Sequence, residues 1–436
     1  MMEFARNKDL ERLIIRKNDG LIKVITGIRR VGKSYLLMDL FYEHLLSSGI
    51  HPDRIIRFAF DSMDDLKKLG IKTRNRNGSP AKVPADCFMD YLAPLIPPDQ
   101  PCFLLLDEIQ ELDSFESVLN SYLRRKNIDI YVTGSNSRFL SSDILTEFRG
   151  RGEEVHILPL TFREYVEGTA LSCDQAWREY VQTGGIPLIA SMRDDEQKEQ
   201  YLLDLCKEVY LKDIIQRNTI QYQEDLGELL DTVASMMGSV TNPTRITNTF
   251  NAEKHRKLTD DTIHRYLGFF EESFLIKRVR RFDIEGRQYI NGSYKFYFED
   301  IGIRNARLNF RQINETHIME NIIYNELRSR GYQVSTGNVE IREKTERLDK
   351  NNRPIYTTKQ LEVDFVAGKG SDKVYIQSAY SVQDELKQYQ EQRPFFHIGD
   401  SFRKIILVND NIKLKRDEAG ITTMNVQDFL MSDGWI

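Results

Sequence analysis

The sequence predicts an α/β fold whose parallel sheet carries helices on both faces. Three observations predict it. Five short runs rich in apolar and β-branched residues lie in the first 160 positions; segments with helical spacing separate them; and glycine and acidic residues gather where the runs end. Strands apolar along their whole length are buried on both sides, as in a parallel sheet covered by helices. Ligands of such sheets bind at the carboxyl ends of the strands. The polar residues at those ends are therefore the first candidates for chemistry.

Residues 21–26 (LIKVIT) form the first expected strand, which stops at Gly27. Over residues 33–46, Leu37, Leu40, Phe41 and Leu45 recur at helical spacing. Residues 54–60, 102–106, 128–132 and 155–160 are the second to fifth expected strands. The polar, turn-rich stretch 71–84 reads as an exposed loop or insertion, and prolines at 97, 98 and 101 break the chain before the third strand.

A chain of 436 residues is too long for one ordinary core and implies two or three domains. With 40% apolar and 29% charged residues it reads as globular. A net charge of −5 supplies no global field for nucleic acid or an anionic membrane, so any DNA contact needs a local basic patch. Cys87, Cys102, Cys173 and Cys206 lack C-x-x-C spacing, which argues against zinc and against a disulfide framework and suits a reducing cytosol. No signal-peptide pattern and no 18-residue apolar run occurs, so a cytoplasmic protein without a membrane span is expected.

Gly27-Ile28-Arg29-Arg30-Val31-Gly32-Lys33-Ser34 fits G-x-x-x-x-G-K-[ST] without a gap and sits between a strand and a helix. The glycines let the backbone approach phosphate oxygens, and the helix that follows aims its positive end at them. Residues 27–34 and the adjoining Tyr35 are the expected nucleotide contacts. Lys33 reaches the β- and γ-phosphates, and Ser34 ligates Mg²⁺. Asp107 and Glu108 end the third strand. Asp107 is assigned to Mg²⁺, and Glu108 to orienting or deprotonating the attacking water. After the fourth strand, Ser135 or Asn136 of Thr133-Gly134-Ser135-Asn136 is a candidate γ-phosphate sensor, with Asn136 preferred; capping the next helix, with Ser137 as another cap, is the alternative. Arg149 and Arg151 precede the fifth strand and are either fingers for a neighbouring subunit's nucleotide or solvated arginines. Arg29 and Arg30 divide the same way, between phosphate contacts and surface ion pairs.

ITGIRRVGKS, FLLLDEIQ, YVTGSNSRFL, RGEEVHILPLTFREY and GGIP together resemble the prokaryotic AAA-type ATPases whose C-terminal part has been called a domain of unknown function. The resemblance covers nearly the whole chain. It implies ATP and Mg²⁺ as cofactors. In residues 184–187 (GGIP) it resembles the glycine-proline element of signal-transducing NTPases, which puts Pro187 near the adenine base; a plain helix–helix turn is the alternative.

Residues 201–217 read as an amphipathic lid helix. Asn242 and Pro243 start a helix over 243–250, and Thr259 caps a second, Asp260–Glu272. A strand over 275–281 follows. This order suggests a winged-helix module, which the resemblance supports. Its presumed recognition helix is acidic, but Lys277, Arg278, Arg280, Arg281 and Arg287 make the wing basic, so DNA contact through the wing is possible and a structural or oligomerising role is favoured.

Lys295, Tyr297, Asp300 and Gly302 match the family's K-x-Y-x-x-D-x-G-L pattern. A helix over 317–330, strands at 361–366, 373–377 and 404–408, and a helix at 383–390 then resemble the PD-(D/E)xK nuclease fold. Glu320 or Glu326, Asp364 and Gln377 occupy its acidic positions, but Ala379 stands where the lysine belongs, so the site reads as degenerate. Lys373 is the nearest substitute. The charged run 342–359 reads as an exposed loop. The expected domains are 1–195 (P-loop ATPase), 196–290 (lid and winged helix) and 291–436 (nuclease-like, inactive). The leading expectation is an ATPase acting as a nucleotide-driven switch or remodeller, with an unknown protein partner and a homo-oligomer in view and the target of turnover left open between DNA, protein and a metabolite. An ATP-regulated DNA-binding protein or nuclease, and a non-hydrolysing nucleotide-gated scaffold, are the alternatives.

Overall fold

The computed structural model describes residues 2–434 apart from 71–81, 99, 135–147, 149, 219, 221–222, 255–256, 312–313, 349–353 and 383. The chain forms two compact units, Glu3–Leu158 and Pro159–Ile436. The boundary falls ahead of the expected one at 195.

The first unit is a five-stranded sheet of β1 Ile22–Thr26, β2 Ile55–Ala59, β3 Cys102–Asp107, β4 Ile128–Thr133 and β5 Gly152–His156. Its order is β2-β3-β4-β1-β5, and every pairing is parallel. β1, β3 and β4 are buried along their whole length because helices cover both faces. The helical stretch 33–47 packs Leu36, Leu37, Phe41 and Leu45 inward and has a wider π-type turn over Leu36–Phe41. β5 lies three residues earlier than its apolar run suggested. It is an edge strand in which Glu153 and Glu154, on opposite faces, are each only half-buried and so are tolerated. After it, Ile157 N–H still donates to Thr26 O (2.8 Å), and Pro159 lacks an N–H to go further.

The second unit is built on an eight-stranded mixed sheet. Its strands are β6 Ile276–Asp283, β7 Gln288–Phe298, β8 Gln333–Leu348, β9 Pro354–Lys369, β10 Asp372–Ala379, β11 Arg403–Val408, β12 Lys415–Arg416 and β13 Ile421–Asn425. The order is β12-β13-β11-β10-β9-β8-β6-β7. Helices Gln223–Ser235, Pro243–Lys254 and Asp260–Glu272 precede the β6–β7 hairpin. Asn242 Oδ1 accepts from Arg245 N–H (2.7 Å), and Thr259 caps Asp260–Glu272. The hairpin is not a separate wing, however. β6 pairs in parallel with β8 at Arg281–Asp283, so the hairpin continues the C-terminal sheet.

Of the expected loop at 342–359, the described residues 342–348 and 354–359 instead belong to the ribbon of β8 and β9, with Arg342 opposite Thr358 and Lys344 opposite Tyr356. Both faces of this ribbon are largely solvated, so no apolar alternation marks it in the sequence. Cross-strand charge pairing of Glu343 with Lys359 (3.9 Å) replaces it, and Arg393 also pairs with Glu343. Among the described residues, no helix is long and apolar enough to cross a membrane.

Two glycine motifs meet inside this unit. Asp300 Oδ2 accepts from Gly185 N–H (2.8 Å), and its Oδ1 accepts from Ile303 N–H (3.1 Å) at the start of the helix Ile301–Arg307. A Cβ on Gly184 (φ 75°) would lie 2.3 Å from Asp300 Oδ1, and one on Gly302 would lie 2.1 Å from Thr183 O. Glycine is therefore required on both sides of the junction. Burial pushes the Asp300 carboxyl up to about 6, against the hydrogen bonds it accepts. A carboxyl raised in the folded state contributes stability below its unfolded value of 3.8 and loses it as pH rises through 6. Urea unfolding at pH 4 and pH 7 should therefore show wild type losing up to about 3 kcal/mol relative to Asp300→Asn. A gap that does not change with pH contradicts this.

Candidate functional site

The phosphate loop is fixed by two glycines and two apolar anchors. Gly27 has φ 144°, and a Cβ there would lie 2.4 Å from Ile157 O. Gly32 (φ 99°) turns the chain into the helix that begins at Lys33. Ile28 and Val31 are buried in the core, while Arg29 and Arg30 line a cavity of about 790 Å³ together with Lys33, Ser34, Tyr35, Asp61, Glu108 and Gln110. That volume suits a small-molecule ligand.

Lys33 is 5% exposed, and its Nζ donates to Gly27 O (3.0 Å) and Ile28 O (3.1 Å). Burial pushes its pKa down to about 8, although Glu108 and Asp107 pull it upward. Asp107 is buried at the end of β3. Its Oδ1 accepts from Ser34 Oγ (3.1 Å) and from Thr133 Oγ1. Burial raises its carboxyl above the usual range, and the Thr133 and Ser34 hydrogen bonds oppose the shift. Hydroxyl and carboxylate oxygens brought together this way are the hard donors that Mg²⁺ selects. The donor set therefore fits the cation the sequence implies, which Ser34 and Asp107 could hold.

Glu108 has a left-handed backbone (φ 51°, ψ 48°), which costs a residue with a Cβ roughly 1–2 kcal/mol. Two bonds hold it there: its N–H donates to Thr133 Oγ1 (3.1 Å), and its carbonyl accepts from Glu111 N–H (3.0 Å). Gln110 Nε2 donates to Glu108 Oε2. Thr133 and Gln110 were not singled out from sequence. The signal for Thr133 is register: Leu106 lies opposite Val132, so the last residue of β4 stands beside Asp107.

Ser135, Asn136, Ser137 and Arg149 lie outside the described residues. Arg151 lies at the amino end of the sheet, where its carbonyl accepts from Ile22 N–H (2.8 Å), a strand's length from the phosphate loop of its own chain. Pro187 opens the short helix Pro187–Ala190 in the other unit, beside the glycine junction.

The nuclease-like positions converge in part. Glu320 and Asp364 come together, and Glu362 joins them. Glu326 does not, because it pairs with Arg330 (2.6 Å). Gln377 Oε1 accepts from Asp364 N–H (3.4 Å). A lysine from outside the motif position stands among these acids. Lys295 Nζ, from β7, lies 2.6 Å from Glu362, 2.7 Å from Glu320 and 3.6 Å from Asp364, and it is 3% exposed. Lys373, the substitute named from sequence, lies instead over the Phe402 ring (4.8 Å). Burial works against the Lys295 ammonium, but attraction from Glu320, Asp364 and Glu362 outweighs it and raises its pKa. The Asp364 carboxyl is driven up by burial and by Glu320, against Lys295. The ammonium thus sits at the centre of the acids. Among the described residues, no His/Cys/Asp/Glu group has the arrangement of a metal site.

On the basic hairpin, Arg278 pairs with Glu271 (2.8 Å) and Arg281 donates to Asn338 (2.7 Å). Lys277, Arg280 and Arg287 are exposed, with Arg280 stacked on Tyr289.

Residues 19–166 match the AAA domain family, and residues 174–314 match a domain of unknown function (DUF8612). The N-terminal unit is a P-loop AAA-type domain. An uncharacterised protein of Haemophilus influenzae is 29% identical over 433 residues, covering 98% of each chain. The uncharacterised protein MJ1544 of Methanocaldococcus jannaschii is 25% identical over 428 residues, covering 93% of this chain and 85% of its own. Among solved structures, the Walker-type ATPase PABY2304 of Pyrococcus abyssi aligns with a TM-score of 0.47 at 16% identity, over 70% of this chain and 96% of its own.

Removing one partner of a buried ionic cluster leaves the others uncompensated. Lys295→Met is therefore expected to destabilise the C-terminal unit by about 3–5 kcal/mol in urea unfolding. A loss under about 1 kcal/mol contradicts this account of the cluster.

Proposed function

We propose that the AAA-type unit binds Mg-ATP at residues 27–34 and hydrolyses it, and that the chain acts as a nucleotide-driven switch or remodeller. One observation carries the reading. The Ser34 and Thr133 hydroxyls converge on the buried Asp107 carboxylate, and the next residue, Glu108, is held in a strained turn on the cavity wall. In this reading the loop N–H groups and Lys33 bind the triphosphate, and Lys33 exchanges the Gly27 and Ile28 carbonyls for phosphate oxygens. Ser34 and Asp107 hold Mg²⁺, which when bound neutralises charge on the β- and γ-phosphates. Glu108 orients the attacking water and accepts its proton. Arg29, Arg30 and Tyr35 flank the phosphates. Arg151 serves in trans, on a second copy's nucleotide; its distance along the strand from its own loop supports that assignment. Asn136 as sensor and Pro187 beside the adenine rest on the resemblance.

The three helices and hairpin at 223–298 support a winged-helix reading, used for assembly more than for DNA. Of the five basic residues assigned to the wing, Arg278 and Arg281 are spent on Glu271 and Asn338, and the helix Asp260–Glu272 remains acidic. The Lys295 ammonium among Glu320, Glu362 and Asp364 supports a binding or scaffolding role for the C-terminal sheet over cleavage.

Steady-state phosphate release should fall by about 100-fold or more in Glu108→Gln. Equal rates in the two proteins would leave a non-hydrolysing nucleotide-gated scaffold as the reading. Binding should also take up protons. In the free protein Lys33, with its pKa near 8, is largely neutral at pH 8.5, and the triphosphate restores its charge. Calorimetry at pH 8.5 in two buffers of different ionisation enthalpy should report about three-quarters of a proton taken up per nucleotide, with affinity weakening as pH rises further. Uptake near zero places Lys33 away from the phosphates.

A further inference from the structure

The C-terminal unit holds a cavity of about 390 Å³ at the amino ends of β11 and β13, beside the turn that joins β12 to β13. Strand register builds its basic wall. Residues directly opposite one another share a face of the sheet, and so do residues two apart along a strand. Thr422 stands opposite Ile405 on one side and opposite Arg416 on the other. Arg403, two residues before Ile405, therefore lies on the same face as Arg416, with the Thr422 hydroxyl between the two strands that carry them. The alternate residue, Lys404, donates from Nζ to Ile398 O (2.9 Å) and Asp400 O (3.4 Å), which ties down the loop at the cavity rim.

Arg403, Lys404 and Arg416 line this cavity against one carboxylate, Asp400. That carboxylate is engaged elsewhere: its Oδ2 accepts from Tyr375 O–H (2.6 Å) and its Oδ1 from Phe402 N–H (3.3 Å). Asp417, next to Arg416 in the chain, is engaged too, by Ile421 N–H (2.8 Å) and Gln392 Nε2 (2.8 Å). Among the described residues, no carboxylate lies within ion-pair distance of Arg403, Lys404 or Arg416. Arg416 Nε donates to Gly420 O (3.3 Å), which leaves its two terminal nitrogens for a ligand. Three cations against one anion give an excess of two positive charges, the complement of a phosphate monoester with its charge of about −2 near neutral pH. Guanidinium forks also match phosphate oxygens in geometry, which an ammonium does not. The phosphate would fill only part of the space. Buried Ile405 and Met424 and the half-exposed Phe402 ring supply apolar surface for the rest of a small molecule.

We propose that this cavity binds a small phosphate monoester, with Arg403, Arg416 and Thr422 on the phosphate and Ile405, Met424 and Phe402 against its organic part. No residue of the phosphate loop takes part, and the proposal holds whether or not the chain hydrolyses ATP. Titration calorimetry of the full chain with ribose 5-phosphate tests it, with ribose and inorganic phosphate as the separate halves of that probe. Wild type should bind ribose 5-phosphate with a Kd of about 1 mM or tighter, inorganic phosphate more weakly, and ribose not at all. Arg403→Ala and Arg416→Ala should each weaken binding about tenfold or more, and Arg416→Lys, which keeps the charge and loses the fork, should recover only part of it. Both arginines are exposed, so the unfolding midpoints should stay at the wild-type value. Lys33→Ala, which disables the phosphate loop, should bind as wild type does. No saturable binding up to about 10 mM overturns the proposal. So does ribose or inorganic phosphate binding as tightly as ribose 5-phosphate, or full affinity in both alanine variants. Binding lost in Lys33→Ala overturns it as well, because the probe then sits on the phosphate loop.

Discussion

A carboxylate buried at the end of a strand costs free energy unless protons or a cation compensate it. Asp107 is in that position. Two hydroxyls, Ser34 from the phosphate loop and Thr133 from β4, donate to its Oδ1, and burial still holds its carboxyl above the ordinary range. The arrangement depends on β4 lying between β1 and β3, because only that order brings the loop's helix, the acidic strand end and Thr133 to one point. The same threonine accepts the Glu108 N–H, so one hydroxyl ties Asp107 to Glu108, the residues proposed to hold the cation and to activate water. A divalent cation at this point would supply the charge that the two hydroxyls compensate only in part.

Much of this first unit could be read from the sequence. The strands are short apolar runs, and the glycines, Lys33 and Ser34 are contiguous in the chain, so no tertiary knowledge was needed to group them. Thr133 and Gln110 were not legible for opposite reasons. Thr133 matters through its register beside Asp107, a pairing between segments 26 residues apart. Gln110 matters through a tight turn that depends on Glu108 adopting a left-handed backbone, which an L-residue seldom advertises.

The second unit was harder to read because its contacts are between distant segments. Lys295 was visible only as part of a pattern. Its role as counter-ion requires β7 and β9 to share a sheet with the helix Glu315–Ser329 packed against it. The glycine pair at 184–185 and Asp300 likewise read as two separate motifs until the structure joins them. The outer β8–β9 ribbon was missed because a strand solvated on both faces carries no period-two apolar signal. In each case local composition was read correctly, and pairing across the chain decided the outcome.

The central claim is that Asp107 and Ser34 form a prepared seat for the cation that accompanies the nucleotide. ATP affinity measured with Mg²⁺ and with chelator, in wild type and in Asp107→Asn, tests it directly. The account predicts that Mg²⁺ tightens wild-type binding about tenfold or more and leaves Asp107→Asn nearly unaffected. Wild-type affinity indifferent to Mg²⁺, or a variant that responds as fully as wild type, would contradict it.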